Sequence, residues 1–304
     1  MTDIKKELAK VINEKNIIED ADMREYTSFK AGGHTSLLVI PSGKNELKFA
    51  LKTLYAAQMP YMIMGNGSNI LVRDGGYKGT LIKLGEPFAF IRTDKDIIHA
   101  GCGALMSQVA NEALKKGLGG FEFAGGIPGS IGGAVFMNAG AYGGEMKDII
   151  KSVNVISRDG EREYELVPEK LQLEYRHSIF CDTCDIIESV KIKLHEESKD
   201  KIKSMMKELT ERRNNKQPLS LPSAGSFFKR PKGYYAGRLI EDAGLKGLTV
   251  GGAQVSQLHA GFIVNKGGAT ASDIIELMHM VQATVMDKYG VMLEPEVRII
   301  GEEA

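Results

Sequence analysis

The 304-residue sequence predicts an α+β fold divided into two or three compact units. Three observations carry this expectation. The length exceeds what one small core holds together. Strand-like and helix-like segments mix without strict alternation, which argues against a doubly wound parallel sheet. Eleven glycines fall between Gly117 and Gly144, a density that neither a plain helix nor a plain strand sustains.

The first twenty residues read as a helix, with apolar Leu8, Val11 and Ile12. A clearer helix runs from Glu46 to Gln58, with Leu47, Leu51, Leu54 and Tyr55 on one face and Asn45 as its cap. Strands are expected at Tyr61–Met64, Ile70–Val72 and Thr80–Leu84, and a helix over residues 104–116 stopped by Gly117. The glycine-dense stretch must be a set of turns. Strand alternation returns at Val153–Ile156 and at Val190, Ile192 and Leu194. A charged helix, Lys199–Arg213, leads into a proline-rich boundary at residues 217–222. The last helix, about 273–288, is capped by Ser272 and ends at Gly290. A strand from Met292 to Ile300 closes the chain.

Composition narrows the function. Basic and acidic residues balance at 39 each, so no general affinity for nucleic acid is expected. The N-terminus lacks a signal-like apolar core, and no run reaches the ~18 apolar residues that span a bilayer. A cytoplasmic protein and a monomer are expected. The three cysteines suit a reducing compartment. Cys181 and Cys184 have no second pair to complete a zinc site, and the histidines lack metal spacing, so no metal is expected.

Four segments are candidates for chemistry. Gly65-Asn66-Gly67-Ser68-Asn69 follows a buried strand and reads as an anion nest or a plain turn; strand residues follow it, so it is not the dinucleotide fingerprint. Phe123 to Gly133 holds Gly125, Gly126, Ile127, Pro128, Gly129, Ser130, Gly132 and Gly133, which requires backbone packed closely on a flat partner or on a neighbouring sheet. Ser226, between Gly225 and two phenylalanines, lacks the Gly-x-Ser-x-Gly elbow of a hydrolase. Glu294, Glu296 and Arg298 share one face of the expected final strand, as an exposed edge or as a polar site. His259, ahead of an apolar run, reads as a structural residue or as a ligand contact.

Taken in order, these segments resemble the UDP-N-acetylenolpyruvoylglucosamine reductase family. The resemblance runs through Tyr26 to Gly33, the Gly65 loop, the Gly125–Gly133 cluster with Asn138 to Gly143, and Tyr175 to Phe180. It continues in Ala224 to Lys229, Leu239 to Gly247 and Glu294 to Arg298, covering roughly residues 26–301. It implies an FAD-binding region of the vanillyl-alcohol-oxidase type: one subdomain of residues 1–85 joined by 291–304, a second of 86–213, and a substrate domain of 214–290. The Gly65 loop would cradle the FAD diphosphate. The Gly125 cluster, with Asn138 and Gly140, would wall the flavin and its ribityl chain.

The family's general acid falls on Ser226, and its pair at the substrate carboxylate on Arg176 and Glu296. Lys216, Lys229, Arg230 and His259 fall where the family contacts the nucleotide-sugar; Lys216 and Arg230 suit phosphate chemically. The implied activity is reduction of an enolpyruvyl ether of UDP-N-acetylglucosamine by NADPH through FAD, in peptidoglycan precursor synthesis. The sequence lacks the inserted segment with a substrate-closing tyrosine, and Pro231 to Gly237 follow Arg230 at once, as in the shorter branch of the family. An oxidase of the same fold leaves Arg176, Ser226 and Glu296 unexplained. A non-catalytic nucleotide-sugar sensor has no need of Ser226 or Glu296.

Overall fold

In the computed structural model, which describes residues 2–304, the chain forms two compact units. Met1, the first residue of the expected opening helix, lies outside the described residues.

The first unit takes in the chain through Glu19, Leu37–Asn66 and Gly79–Arg212. Its main sheet has five antiparallel strands, in the order Glu163–Leu166, Ile150–Ile156, Ile186–Lys193, Ile97–Gly101 and Ile91–Asp94. The strand Ile186–Lys193 is rich in β-branched residues, which suit a pleated, half-buried surface. Its Ile186, Val190 and Ile192 are almost fully buried. Helix Met106–Lys116 buries Met106, Val109, Ala110 and Ala113, which share one face. It stops at Gly117, whose φ of +69° suits glycine. A separate strand, Tyr61–Met64, pairs in parallel with Tyr77–Lys83, with Met64 opposite Lys83.

The second unit takes in Asp20–Ser36, Gly67–Lys78 and Arg213–Ala304. Three antiparallel strands, Thr249–Val250, Ala253–Val255 and Ile263–Asn265, lie against helix Ala271–Tyr289. Phe227 is at the centre of the apolar core. It meets Phe29 edge-on at 6.2 Å and Phe228 at 5.2 Å. Buried Asn265 has its amide fully used: Nδ2 donates to the carbonyls of Phe29 and Lys30, and Oδ1 accepts from Gly267 and Ala269. Strand Arg298–Ile300 pairs in parallel with Ile70–Val72.

Several local expectations change. The opening helix ends at Leu8, and a strand follows at Ile17–Asp22. Leu8 and Ile12 are buried but Val11 is exposed, and both Val11 and Ile12 lie beyond the helix end, so the helical spacing of the three does not hold. The second helix spans Lys44–Ala56, with Gly43 rather than Asn45 at its cap position. The glycine-dense stretch is not all turns: Ile131–Phe136 is helical, capped by Ser130. There glycine serves proximity, since a Cβ on Gly132 would lie 2.9 Å from that of Cys102. The final strand is only Arg298–Ile300, so Glu294 and Glu296 precede it and do not share a strand face with Arg298.

The last helix is capped by Thr270, not Ser272. Thr270 and Asp273 bond reciprocally, each side chain accepting from the other's N–H. Ser272 instead donates its N–H and its hydroxyl to Asp74, which also accepts from the Ala271 N–H at 2.9 Å. Asp74→Ala is therefore expected to lower unfolding free energy by about 1–2 kcal/mol, measured by denaturant titration. An unchanged midpoint and slope would show that Thr270 and Asp273 cap the helix without help.

Candidate active site

Strand Tyr61–Met64 ends in Gly65 because its parallel partner ends at Lys83 and the chain must turn. Gly65 packs so tightly that a Cβ there would overlap the Ser130 hydroxyl. This contact joins the two glycine-rich segments singled out in the sequence. Gly67 has φ +65°, and a Cβ on it would overlap the Tyr26 carbonyl, so both strain and space require glycine. The backbone N–H groups of Asn66, Gly67 and Ser68 donate to no acceptor among the described residues, and neither do those of Gly129 and Ser130. Gly67 and Ser130 are nonetheless buried. An unpaired buried N–H costs about 1–3 kcal/mol. Successive free N–H groups are the donor set that holds a diphosphate. The residues present thus fit the FAD that the sequence led us to expect.

Other expected cofactor residues are committed to the protein itself. Asn138, almost fully buried at φ +43°, donates through Nδ2 to the Glu145 carboxylate and the Glu174 carbonyl, and accepts from the Lys147 N–H. Gly140 pairs with Glu145 in a two-residue hairpin. Gly126 and Pro128 are exposed; Gly125, Ile127 and Gly129 are half-buried.

Arg176 belongs to the first unit. It lies in a tight turn where Glu174 and His177 exchange backbone hydrogen bonds, and its φ is +57°. Its guanidinium sits 4.9 Å from the Tyr175 ring centre. The nearby Glu145 carboxyl is held below its ordinary range. The Lys147 hydrogen bond is the largest cause, opposed by burial and aided by Asn138 and by the Arg176 charge. Asn138, Glu145 and Lys147 thus form a polar frame under the Arg176 turn, which no sequence motif announced.

Ser226 and Glu296 belong to the second unit, where the backbone brings their segments side by side. The Phe227 N–H donates to the Gly261 carbonyl at 2.8 Å, and the Phe227 carbonyl accepts from the Glu296 N–H at 2.7 Å. The Lys229 N–H donates to Glu294 at 2.8 Å, so residues 227–229 and 294–296 run antiparallel. Asn69 Nδ2 donates to the Glu296 carbonyl at 3.1 Å. Ser226 is exposed beside this ladder, and Glu296 is half-buried.

His259 accepts from the Gly261 N–H at Nδ1, which leaves Nε2 as the proton-bearing nitrogen. Burial lowers its pKa, so the ring is a neutral donor. Lys229 pairs with Glu294 at 3.3 Å. The Arg230 guanidinium stacks 4.0 Å from the Tyr235 ring centre. Lys216 is exposed at the end of helix Lys199–Lys216. The Cys181–Cys184 pair is free, and no group of three or more His, Cys, Asp or Glu among the described residues is arranged to hold a metal ion. No helix among them is long and apolar enough to cross a membrane.

Gly65→Ala is expected to lower both the melting temperature and the flavin retained on purification. Adding Ser130→Gly removes the overlapping hydroxyl, so the double variant should melt close to Ser130→Gly alone. Additive losses would show that the Gly65–Ser130 approach is not the constraint.

Residues 35–163 match the FAD binding domain family, and residues 217–300 match the C-terminal domain of UDP-N-acetylenolpyruvoylglucosamine reductase. The chain is 48% identical over 298 residues to the UDP-N-acetylenolpyruvoylglucosamine reductase of Alkaliphilus oremlandii (strain OhILAs), covering 98% of each chain. It is 47% identical over 301 residues to that of Clostridioides difficile (strain 630), covering 99% of each. The crystal structure of the Thermus caldophilus enzyme superposes with a TM-score of 0.80 at 37% identity, over 94% of this chain and 98% of that one. The fold is α+β with an FAD-binding region. With near-complete coverage at these identities, the chain belongs to the UDP-N-acetylenolpyruvoylglucosamine reductase family.

Proposed function

We propose that this protein reduces UDP-N-acetyl-3-O-(1-carboxyvinyl)glucosamine to UDP-N-acetylmuramate with NADPH and FAD, a cytoplasmic step of peptidoglycan precursor synthesis. The observation that carries the proposal is the pairing of the Ser226–Lys229 segment with Glu294–Glu296 in a chain of this family. It sets a hydroxyl and a carboxyl on neighbouring backbone. Residues 214–290 are assigned to the substrate, and residues 1–85 with 291–304, together with 86–213, to FAD. The pairing of Arg298–Ile300 with Ile70–Val72 supports the return of the C-terminus to the first of these.

When bound, FAD would be held by the Gly65 loop and the backbone of Gly129 and Ser130, and would supply the hydride chemistry between NADPH and C3 of the enol ether. Negative charge then develops on C2 and the adjoining carboxylate. Arg176 holds that carboxylate by charge, and Glu296 by hydrogen bonding through its carboxyl. Fixed donors of this kind are worth about 3 kcal/mol each. Ser226 gives its hydroxyl proton to C2, completing the addition of two hydrogens across the double bond. An enediolate is basic enough to take a proton from a positioned hydroxyl. Exposed Ser226 regains its proton from solvent. Lys216, Lys229 and Arg230 bind the diphosphate and sugar by charge, and His259 contributes a neutral Nε2–H donor.

Ser226→Ala is expected to leave flavin reduction by NADPH unchanged and to slow flavin reoxidation by the enolpyruvyl substrate by about a thousandfold or more, as loss of a general acid can. Stopped-flow absorbance separates the two half-reactions. Reoxidation at the wild-type rate would remove Ser226 from the chemistry.

A further inference from the structure

Lys83 is the last residue of strand Tyr77–Lys83 and lies opposite Met64 in the parallel pair, so Gly65 follows immediately beside it. Its Nζ is 3.4 Å from the Gly65 carbonyl oxygen, within the first unit. Elsewhere in the same unit Lys44 and Lys48 both pair with the Glu163 carboxylate. Lys83 has no carboxylate partner among the described residues. It is half-buried, and burial alone pulls its pKa down. A desolvated ammonium without a counter-charge is costly unless its field is used.

The neighbouring peptide shows what that field acts on. In a trans peptide the carbonyl of one residue and the N–H of the next point in opposite directions. The Gly65 carbonyl turns toward Lys83, so the Asn66 N–H turns away from it. That N–H is one of the donors with no protein acceptor. The ammonium therefore fixes the peptide's direction, polarises it and adds positive potential at the carboxyl ends of two parallel strands, where ligands of such sheets bind.

We propose that Lys83 is a positioning residue for the anionic diphosphate of the cofactor, acting through the Gly65–Asn66 peptide. This rests on the FAD reading above. The sequence signal was faint: a lysine at the end of strand Tyr77–Lys83, meaningful only once parallel pairing sets it beside the glycine loop.

The test is titration of the deflavinated protein with FAD, followed by flavin fluorescence at low and at high salt. Lys83→Met should weaken FAD binding by about tenfold or more at low salt, the scale of one charged hydrogen bond. Its affinity should fall less steeply with added salt than that of the wild type, because one positive charge is missing. Lys83→Arg should recover most of the affinity. The apoprotein melting temperature of Lys83→Met should not fall below that of the wild type, whereas loss of a merely structural lysine would lower it. Equal FAD affinity and salt dependence in Lys83→Met and wild type would overturn the proposal alone. A wild-type protein that takes up no FAD would overturn the cofactor reading and the proposal with it.

Discussion

Phe227 is held by its backbone on two sides, and the second unit is arranged around that grip. Its N–H is given to Gly261 and its carbonyl takes the Glu296 N–H, while its ring fills the core against Phe29 and Phe228. Buried backbone groups must be paired, so this one residue fixes three chain segments at once. The side chain before it, Ser226, is left facing solvent. The residue bonded to its carbonyl, Glu296, is set beside it. The loop carrying His259 is drawn in through Gly261. An apolar anchor thus determines where the polar groups stand.

The first unit solves a different problem, the approach of backbone to a large anion. Gly65 gives up its side chain to meet Ser130, and free N–H groups remain on both glycine-rich segments. The same economy continues around Arg176. Asn138 spends its whole amide on Glu145, Glu174 and Lys147, so the turn bearing the guanidinium rests on a satisfied network. Lys83 lies beside the free donors of the Gly65 loop, a half-buried cation with no carboxylate partner among the described residues.

Much of the architecture was legible because local rules act alone there. The strands Tyr61–Met64 and Ile70–Val72 and the glycine stops at Gly117 and Gly290 followed from short-range sequence. Sequence alone does not place the cap of the last helix, because Thr270 and Ser272 are equally good caps by type and only Asp74, distant in sequence, decides between them. The final strand is shorter than its alternation suggests, because Glu294 and Glu296 bond to Lys229 and Phe227 ahead of Arg298. Arg176, Ser226 and Glu296 were selected by the family resemblance; pattern alone left Ser226 and Glu296 open. Lys83 and Glu145 carry little signal in the sequence, because their meaning lies in contacts that no spacing encodes.

The central claim is that the flavin of this protein passes its electrons to an enolpyruvyl nucleotide-sugar. The most direct measurement is flavin absorbance of the purified protein, reduced by NADPH without oxygen, after the enolpyruvyl ether of UDP-N-acetylglucosamine is added. The account predicts prompt reoxidation with one UDP-N-acetylmuramate formed per flavin. A flavin that stays reduced until oxygen is admitted would contradict it.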